Sequence, residues 1–428
     1  MLLALAIMVL QGLPADTLLA PGVILLGEEI ETPTYVADRS TPESVPIGSY
    51  ASMTRAPFDL PDSPVHLIES PGNLGFTDAE LRHAIDSIES EVYRGGFPGA
   101  AVAIGRWSRT VLERGIGTHD RVLGSPAVDP DRTIYDLASL TKVVATTAAV
   151  MLLVEDGRML LDAPVSRYLP HFGGGDKDRV TIRHLLTHTS GLPAWINTSA
   201  LTEQQSLMKA ISAPLRSAPG ERVEYSDVGF VVLWAATDAV SAVPLPELLQ
   251  WRVYGPLEMW STGFAPGADC ERCAPTLDEQ GYRGIVHDPT ARNLGGVTGN
   301  AGLFSTAHDL SRFAAMLANG GELDGVRVFE KSTIDEFTRR QPRTRTRALG
   351  WDTPDARGRG AGGLRISQSG FGHTGFTGTS LWIDPERGTW AVLLANRTLL
   401  PRGPNRMQAI RRELNDRVAS SVDLARDR

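Results

Sequence analysis

The segment YDLASLTKVV, residues 135–144, holds two residues whose types and spacing could carry out chemistry. Lys142 is one of only four lysines in the chain and stands in an otherwise apolar and Thr-rich run. Ser139 lies three residues before it, and residues at i and i+3 share a helix face. If a helix begins near Ala138, the positive end of its dipole favours an oxyanion at the serine. Apolar surroundings would lower the pKa of the lysine, so that it could accept a proton. The spacing predicts an activated serine nucleophile.

The Ser-x-x-Lys spacing occurs a second time, at Ser206 and Lys209. That pair lies in the polar stretch TEQQSLMKAIS, where we expect the lysine to point into solvent. A surface lysine is also the alternative interpretation of Lys142. The apolar residues 143–145 that follow Lys142 favour burial, and a buried lysine needs a partner.

Candidate partners for this pair come from two later segments. In VEYSDVGF, Tyr225 and Asp227 open a helix and offer a phenol and a carboxylate two residues apart. Asp227 could instead act only as the helix N-cap. In GFGHTGFTGTS, His373, Thr374 and Gly375 precede a strand-like run, and the glycine would allow a substrate backbone to lie close to the chain.

Two further patterns are typical of metal or redox sites. His184 and His188 have the i,i+4 spacing of zinc proteases, but HLLTH lacks the glutamate of His-Glu-x-x-His, so we predict structural roles. Cys270 and Cys273 are the only cysteines, and a metal site would need further ligands. A disulfide fits an exported protein, two free thiols fit a cytoplasmic one, and a redox site is the least favoured interpretation. No metal and no cofactor are predicted.

The elements that must position these residues form a simple pattern along the chain. A helix is predicted over 77–96, where Thr77 and Glu80 match a capping box, and a second helix over 404–422. The stretches GAAVAIGRWSRTVLERGIG and GTSLWIDPERGTWAVLLANR predict two β-hairpins. The middle of the chain is mostly helical with long loops. We therefore predict one domain over 76–425, with an α/β lobe from 76–135 and 335–425 and a helical lobe from 136–334.

The composition and the N-terminal residues indicate which partners and which cellular compartment to expect. The chain has 428 residues and a net charge of −8, without basic runs, so a nucleic-acid partner is not expected. Residues 1–27 include an apolar run of signal-peptide size that is too short to span a bilayer. Residues 28–75 are Pro-rich and polar and predict a disordered linker. An exported protein, periplasmic or extracellular, is expected without an integral membrane span. A cytoplasmic location stays open, and nothing indicates the oligomeric state.

The three motifs together resemble the serine β-lactamase and penicillin-binding protein superfamily, on its class C and D,D-peptidase side. The family pattern is Ser-x-x-Lys, then Tyr-x-Asn, then Lys/His-Thr-Gly, and here it is matched at Ser139/Lys142, Tyr225/Asp227 and 373–375. The stretches HLLTHTSGLP and GGVTGNAGLFSTAHDLSRF are also similar to family sequences, and the resemblance covers roughly residues 77 to 425.

The resemblance implies a fold and a set of roles. The fold would be α+β, an antiparallel sheet flanked by helices with an inserted all-helical lobe, and the site would lie in the cleft between them. Ser139 would form an acyl-enzyme, while Lys142 and Tyr225 would share the general-base and general-acid work. The backbone N–H groups of Ser139 and Phe376 would form the oxyanion hole.

Two departures from the family pattern affect the expected substrate. Asp227 replaces the usual asparagine, and His373 replaces the lysine of the β-lactamases. A histidine is mostly neutral at pH 7 and anchors a substrate carboxylate less well than a lysine. The expected activity is therefore a carboxylesterase or a D-amino-acid peptidase or carboxypeptidase acting on a small molecule or a peptide. The alternatives are a β-lactamase and a catalytically silent scaffold or binder of cell-wall peptide.

Overall fold

A five-stranded antiparallel sheet brings the two ends of the chain together. The computed structural model describes residues 69–276, 282–342, 344–355, 360–399 and 405–426. The strands within these residues are β1 (Gly99–Arg106), β2 (Arg109–Gly117), β3 (Tyr135–Asp136), β4 (Gly263–Phe264), β5 (Leu303–Ser305), β6 (Glu322–Leu323), β7 (Val326–Arg327), β8 (Phe371–Thr374), β9 (Ser380–Asp384) and β10 (Thr389–Ala395). The large sheet has the order β2-β1-β10-β9-β8, so its centre pairs an early strand with the last one.

Helices cover both faces of this sheet and fill the middle of the chain. The α-helices within the described residues are α1 (Asp78–Tyr93), α2 (Ala148–Glu155), α3 (Ile182–Leu186), α4 (Glu203–Ser212), α5 (Asp227–Val240), α6 (Leu245–Leu249), α7 (Pro289–Asn293), α8 (Ala307–Ala318), α9 (Lys331–Thr338) and α10 (Met407–Arg426). Helices α1 and α10 pack on each other and on one face of the sheet, and α8 packs on β1 and β10. The predicted α+β fold is confirmed.

Alternate side chains of the central strand β1 belong to two different cores, one on each face of the sheet. In β1, Ala101 and Ala103 belong to the core shared with the helical middle of the chain. Val102 and Ile104 belong to a second core, which also contains apolar residues of α1 and α10. Successive side chains of a strand point to opposite faces, so both faces of this strand must be buried.

Both predicted hairpins are present, and the second has a well-defined turn. Asp384 ends β9, and its side chain accepts hydrogen bonds from the N–H groups of Glu386 and Arg387, at 3.1 and 3.4 Å. Gly388 then adopts a positive φ of 71°, which glycine accommodates without steric cost. These bonds stabilise the reversal that places β10 beside β9.

The predicted capping box at the start of α1 is wrong. Thr77 precedes the helix, but its side chain makes no capping hydrogen bond, and Glu80 instead pairs with Arg417 of α10 at 3.0 Å. The Thr77 N–H donates to the Ser421 hydroxyl at 2.8 Å, and that hydroxyl donates to the Thr77 carbonyl at 2.9 Å. Contacts between the first and last helices therefore replace the local cap.

The middle segment is less uniform than predicted. Strands β3, β5 and β4 form a small sheet, and β6 pairs with β7, so the lobe expected to be all-helical contains short strands. Helix α8 falls within the predicted helical lobe, 136–334, but it packs on the large sheet. The short strands were missed because two- or three-residue strands show no alternating pattern.

Cys270 and Cys273 form a disulfide, which settles the choice left open by the sequence. The loop between them is attached to the strand region ahead of β3. The Ile134 N–H donates to the Arg272 carbonyl at 2.9 Å, and the Ala274 N–H donates to the Ile134 carbonyl at 2.8 Å. The disulfide therefore closes a short loop that supports the segment leading to Ser139.

One helical stretch of the described residues, Ala138–Glu155, is long and apolar enough by composition to cross a membrane. Since 83% of it is buried inside the protein, it is a core helix. The predicted apolar segment 1–27 and residues 28–68 of the predicted linker lie outside the described residues. The remainder of that linker, from residue 69, includes a 3₁₀ turn at Pro71–Leu74.

Candidate active site

Ser139 lies in a tight turn of a buried segment and is itself partly exposed. It is the only residue from Thr133 to Leu153 that is partly exposed, since all the others are buried. The turn is the 3₁₀ helix Ala138–Leu140, which continues into a π-helical turn and then α2. Ala138 has a positive φ of 46°, which is unusual and strained for a residue with a Cβ.

A buried carboxylate holds this strained turn. One oxygen of Asp136 accepts from the Ala138 N–H at 2.8 Å, and the other accepts from the His287 N–H at 2.6 Å. Burial raises the pKa of Asp136 to about 6. Asp136 was not predicted as a site residue, although it lies only three residues before Ser139.

Lys142 is fully buried, and its ammonium group has three acceptors. Nζ donates to Ser139 Oγ at 3.0 Å, to Asp227 Oδ1 at 2.7 Å and to the Asn300 carbonyl at 2.9 Å. An ammonium group has three donors, so every proton of a charged Lys142 is used. The surface-lysine alternative is excluded. Asn300 was not predicted as a contact, although its stretch GGVTGNAGLF was recognised as family-like.

The lowered pKa that the apolar flanks of Lys142 alone predict is not found, because Asp227 faces the lysine. Burial does oppose its charge, as expected from the apolar flanks, but the charges and hydrogen bonds of Asp227 and Tyr225 outweigh it. The pKa of Lys142 is therefore raised. Burial is the largest single influence, but the Asp227 carboxylate 2.7 Å away and Tyr225 together stabilise the ammonium more than burial destabilises it.

Tyr225 and Asp227 both face Lys142. Lys142 Nζ lies 4.9 Å from the centre of the Tyr225 ring, and the Tyr225 phenol interacts with both Lys142 and Ser139. Burial raises the pKa of Tyr225, and the Lys142 charge acts against this. Asp227 is the first residue of α5, and the N-cap is Ser226, whose hydroxyl accepts from the Gly229 N–H at 2.9 Å. The alternative of Asp227 as a mere cap is therefore wrong.

His373 lies in β8, near the other residues but enclosed. It is 2% exposed, and its ring centre is 6.1 Å from that of Tyr225. Nδ1 lies 2.9 Å from the Thr374 carbonyl, so Nδ1 carries the hydrogen. Burial lowers the pKa of His373 to about 4. The prediction that His373 is neutral at pH 7 is confirmed.

The turn after β8 packs directly against the segment that leads to Ser139. A Cβ added to Gly375 would lie 2.4 Å from the Leu137 carbonyl oxygen, so only glycine fits without movement. Thr377 donates to the Asp136 carbonyl at 2.7 Å, and Phe376 between them is 59% exposed. This contact places the turn that contains Phe376 beside the turn that carries Ser139. Thr374, just before the turn, is partly exposed.

Arg347 is a further charged group at the site that sequence reasoning missed. Its guanidinium lies 5.4 Å from the centre of the Tyr225 ring and pairs with Asp352. Asp352 exchanges backbone hydrogen bonds with Gly372, at 2.8 and 3.0 Å, which attaches the pair to β8. Arg347 belongs to none of the three motifs, and one arginine among 38 gives no signal in a single sequence.

The second Ser-x-x-Lys pair lacks the features of the first. Ser206 is buried in α4, and its hydroxyl has no hydrogen-bond partner within the described residues. Lys209 is exposed and donates to the Asn197 carbonyl at 2.8 Å. The expected solvent-facing position of Lys209 is confirmed, and the two residues form no site.

His184 and His188 each bind backbone through Nδ1. His184 accepts from the Thr181 N–H at 3.2 Å and completes a capping box at the start of α3. His188 accepts from the Ser226 N–H at 3.0 Å. Among the residues that the structure describes, no group of three or more His, Cys, Asp or Glu side chains could hold a metal ion. The structural roles predicted for both histidines are confirmed.

Solved structures share this architecture. EstCE1, described as a hydrolase with promiscuous acyltransferase activity, is 24% identical with a TM-score of 0.64, and the match covers 79% of this chain and 99% of that one. A penicillin-binding protein homologue from Caulobacter crescentus is 20% identical with a TM-score of 0.67, covering 81% and 99% of the two chains. At these identities the likeness establishes the fold: a mixed helix and antiparallel-sheet fold of the penicillin-binding and β-lactamase type.

The family itself is established by the sequence comparison. The model of the family described as Beta-lactamase matches residues 82–415, and the chain therefore belongs to this family of serine hydrolases. Proteins named putative D-alanyl-D-alanine carboxypeptidase, from Salmonella agona and Salmonella typhi, are 32% identical to it. Each alignment covers 79% of this chain and 87% of the relative.

Proposed function

We propose that this chain hydrolyses an ester or amide through an acyl-enzyme on Ser139. The observation that carries the proposal is the contact between a partly exposed serine hydroxyl and a fully buried lysine amine, 3.0 Å apart. In the first step the Ser139 oxygen bonds to the substrate carbonyl carbon, and the C–O or C–N bond to the leaving group breaks. In the second step water bonds to the acyl carbon, the bond from that carbon to the Ser139 oxygen breaks, and Ser139 regains a proton that the water has lost.

Lys142 and Tyr225 share the proton transfers in this proposal. The proton of Ser139 passes to the Lys142–Tyr225 pair, and the same pair returns it to the leaving group. Because the pKa of Lys142 is raised, the resting lysine is an ammonium. The reactive form is the one in which the pair has lost a proton, and its population increases with pH.

The oxyanion is bound by the N–H groups of Ser139 and Phe376. Two contacts support this assignment: the packing of Gly375 on Leu137, and the hydrogen bond from Thr377 to Asp136. They hold the turn after β8 against the turn that carries Ser139. Donors that are in place before the reaction stabilise developing charge without reorganisation.

A peptide that ends in a D-amino acid is the substrate class we favour. The relatives at 32% identity are named putative D-alanyl-D-alanine carboxypeptidases. A small carboxylic ester is the second candidate, since the neutral and buried His373 offers no charge to a substrate carboxylate. The same observation counts against a β-lactam and against the terminal carboxylate of a peptide alike, so the preference for the peptide rests on the names of the relatives. Ser139, Lys142 and Tyr225 are all present, which disfavours a catalytically silent scaffold.

A reagent panel tests the reaction and the substrate class together. The purified protein is assayed with p-nitrophenyl esters, D-amino-acid p-nitroanilides and nitrocefin, and it is incubated with a fluorophosphonate before intact-mass measurement. We expect hydrolysis of at least one substrate class and one covalent adduct that is absent from Ser139→Ala. Absence of turnover and of any adduct in the folded protein would support the scaffold instead.

We also propose that the enzyme works outside the cytoplasm. The disulfide between Cys270 and Cys273 supports this, because disulfides persist in oxidising compartments and are rare in reducing ones. Thiol alkylation in intact cells checks the proposal, since a cytoplasmic and reduced protein would react at both cysteines.

A further inference from the structure

His188 is a buried residue that packs directly under Tyr225. Its side chain is 1% exposed, and its ring centre lies 4.4 Å from that of Tyr225 with the two planes 33° apart. The Phe230 ring of α5 lies 5.0 Å from the imidazole. The imidazole is therefore in contact with both the proposed proton-transfer residue and the helix that follows it.

The backbone on either side of Tyr225 is bound to this same histidine. The Glu224 N–H donates to the His188 carbonyl at 2.8 Å, and the Ser226 N–H donates to the His188 Nδ1 at 3.0 Å. His188 thus binds the backbone N–H of the residue before Tyr225 and of the residue after it, and its ring packs on the Tyr225 ring. His188 has a positive φ of 56°, an uncommon conformation for a residue with a side chain.

These contacts require an uncharged imidazole in one tautomer. Nδ1 accepts the Ser226 N–H, so the hydrogen of a neutral ring is on Nε2. Burial lowers the pKa of His188 well below its ordinary value, and the charges of Arg347 and Lys142 act in the same direction. Protonation of Nδ1 would remove the acceptor for Ser226 and place a cation among these groups.

We propose that His188 is a positioning residue for the reaction: it holds the Tyr225 phenol toward Ser139 and Lys142 by binding the backbone on both sides of Tyr225 and stacking on its ring. The inference rests on the proposed function of Ser139, Lys142 and Tyr225. The histidine touches no substrate atom in this proposal, and it acts through Tyr225 alone.

Three variants separate this role from a general effect on folding. In His188→Ala the ring and the side-chain acceptor are lost, and we expect kcat to fall by about 10²-fold with little change in KM, since small misplacements of reacting groups have effects of this size. In His188→Asn an amide oxygen can accept from Ser226, but the ring stack is lost, so the activity should be intermediate. His184→Ala is the matched control, because His184 also accepts a backbone N–H through Nδ1 but lies in the capping box of α3. It should retain wild-type kcat.

A double-mutant cycle with Tyr225→Phe tests whether His188 acts through the phenol. Phenylalanine keeps the stacked ring and removes the hydroxyl, so adding His188→Ala should then lower kcat by much less than 10²-fold. If the two losses multiply instead, His188 has only a structural role and the proposal is wrong. If His188→Ala does not fold, the same comparison is made with His188→Asn.

The outcomes distinguish this inference from the proposed function. Wild-type kcat in folded His188→Ala, with Ser139→Ala inactive, would overturn the inference and leave the function in place. An active Ser139→Ala would overturn both. An equal loss in His188→Ala and His184→Ala would also contradict the inference, since it would show that any backbone-binding histidine matters to the same extent.

Discussion

At the residue scale, Ser139 and Ser206 provide an internal comparison, because both precede a lysine by three residues. Ser139 is partly exposed and contacts a buried lysine, whereas Ser206 is buried and Lys209 is in solvent. We expect Ser139→Ala to lower kcat on the order of 10⁴-fold or more, as for other serine nucleophiles, and Ser206→Ala to have almost no effect. Steady-state kinetics on the best substrate of the panel check this. Equal losses in the two variants would remove Ser139 from its assigned role.

The charge on Lys142 is controlled by Asp227, so the pH dependence of the reaction should depend on that carboxylate. Asp227 contributes to the raised pKa of Lys142. In the proposed mechanism the reactive form has lost a proton from the Lys142–Tyr225 pair. Asp227→Asn removes the negative charge and lowers the lysine pKa. The acid limb of the kcat/KM–pH profile should therefore move to lower pH, whatever happens to the maximum rate. An unchanged acid limb in a variant with a normal melting curve would rule out the coupling.

At the element scale, the site depends on the close approach of the turn after β8 to the turn that carries Ser139. An added Cβ at Gly375 would lie 2.0 Å from Thr379 Oγ1 and 2.4 Å from the Leu137 carbonyl oxygen, so Gly375→Ala must separate the two turns. We expect kcat to fall by about 10²-fold or more, the loss found on removing one oxyanion donor. Gly72→Ala is the control, because an added Cβ there meets nothing within 4 Å. Full activity in folded Gly375→Ala would show that this approach does not shape the oxyanion site.

At the scale of the whole molecule, the disulfide should contribute to stability and not to chemistry. Cys270 and Cys273 are three residues apart, and for so short a loop the chain-entropy model gives about 2 kcal/mol. The variant with both cysteines changed to serine should lose about that free energy of unfolding, measured with denaturant, and should keep its hydrolase activity. Loss of activity in the folded double variant would show instead that the disulfide loop positions the segment that leads to Ser139.

The sequence by itself determined the parts of this protein that depend on local patterns. Alternating apolar residues and turn signals identified the two hairpins of the large sheet, and three short motifs in order identified the family, with its fold and Ser139, Lys142 and Tyr225. The spacing of Ser139 and Lys142 allows their contact, but Ser206 and Lys209 have the same spacing and make none, so the burial of Lys142 is also needed. The local capping-box pattern at Thr77 gave a wrong prediction, because Thr77 binds Ser421, which lies near the other end of the chain.

Only the tertiary structure decided the direction of the Lys142 pKa shift and the side chains that surround Tyr225. The apolar flanks of Lys142 predicted a lowered pKa, but Asp227 and Tyr225 together raise it. Asp227 is 85 residues away in sequence and 2.7 Å away in space. Arg347 and His188 reach Tyr225 from other segments, and neither contact has a signature in a single sequence. Electrostatic interactions depend on distance in space, and a sequence gives distances only between residues that share one element.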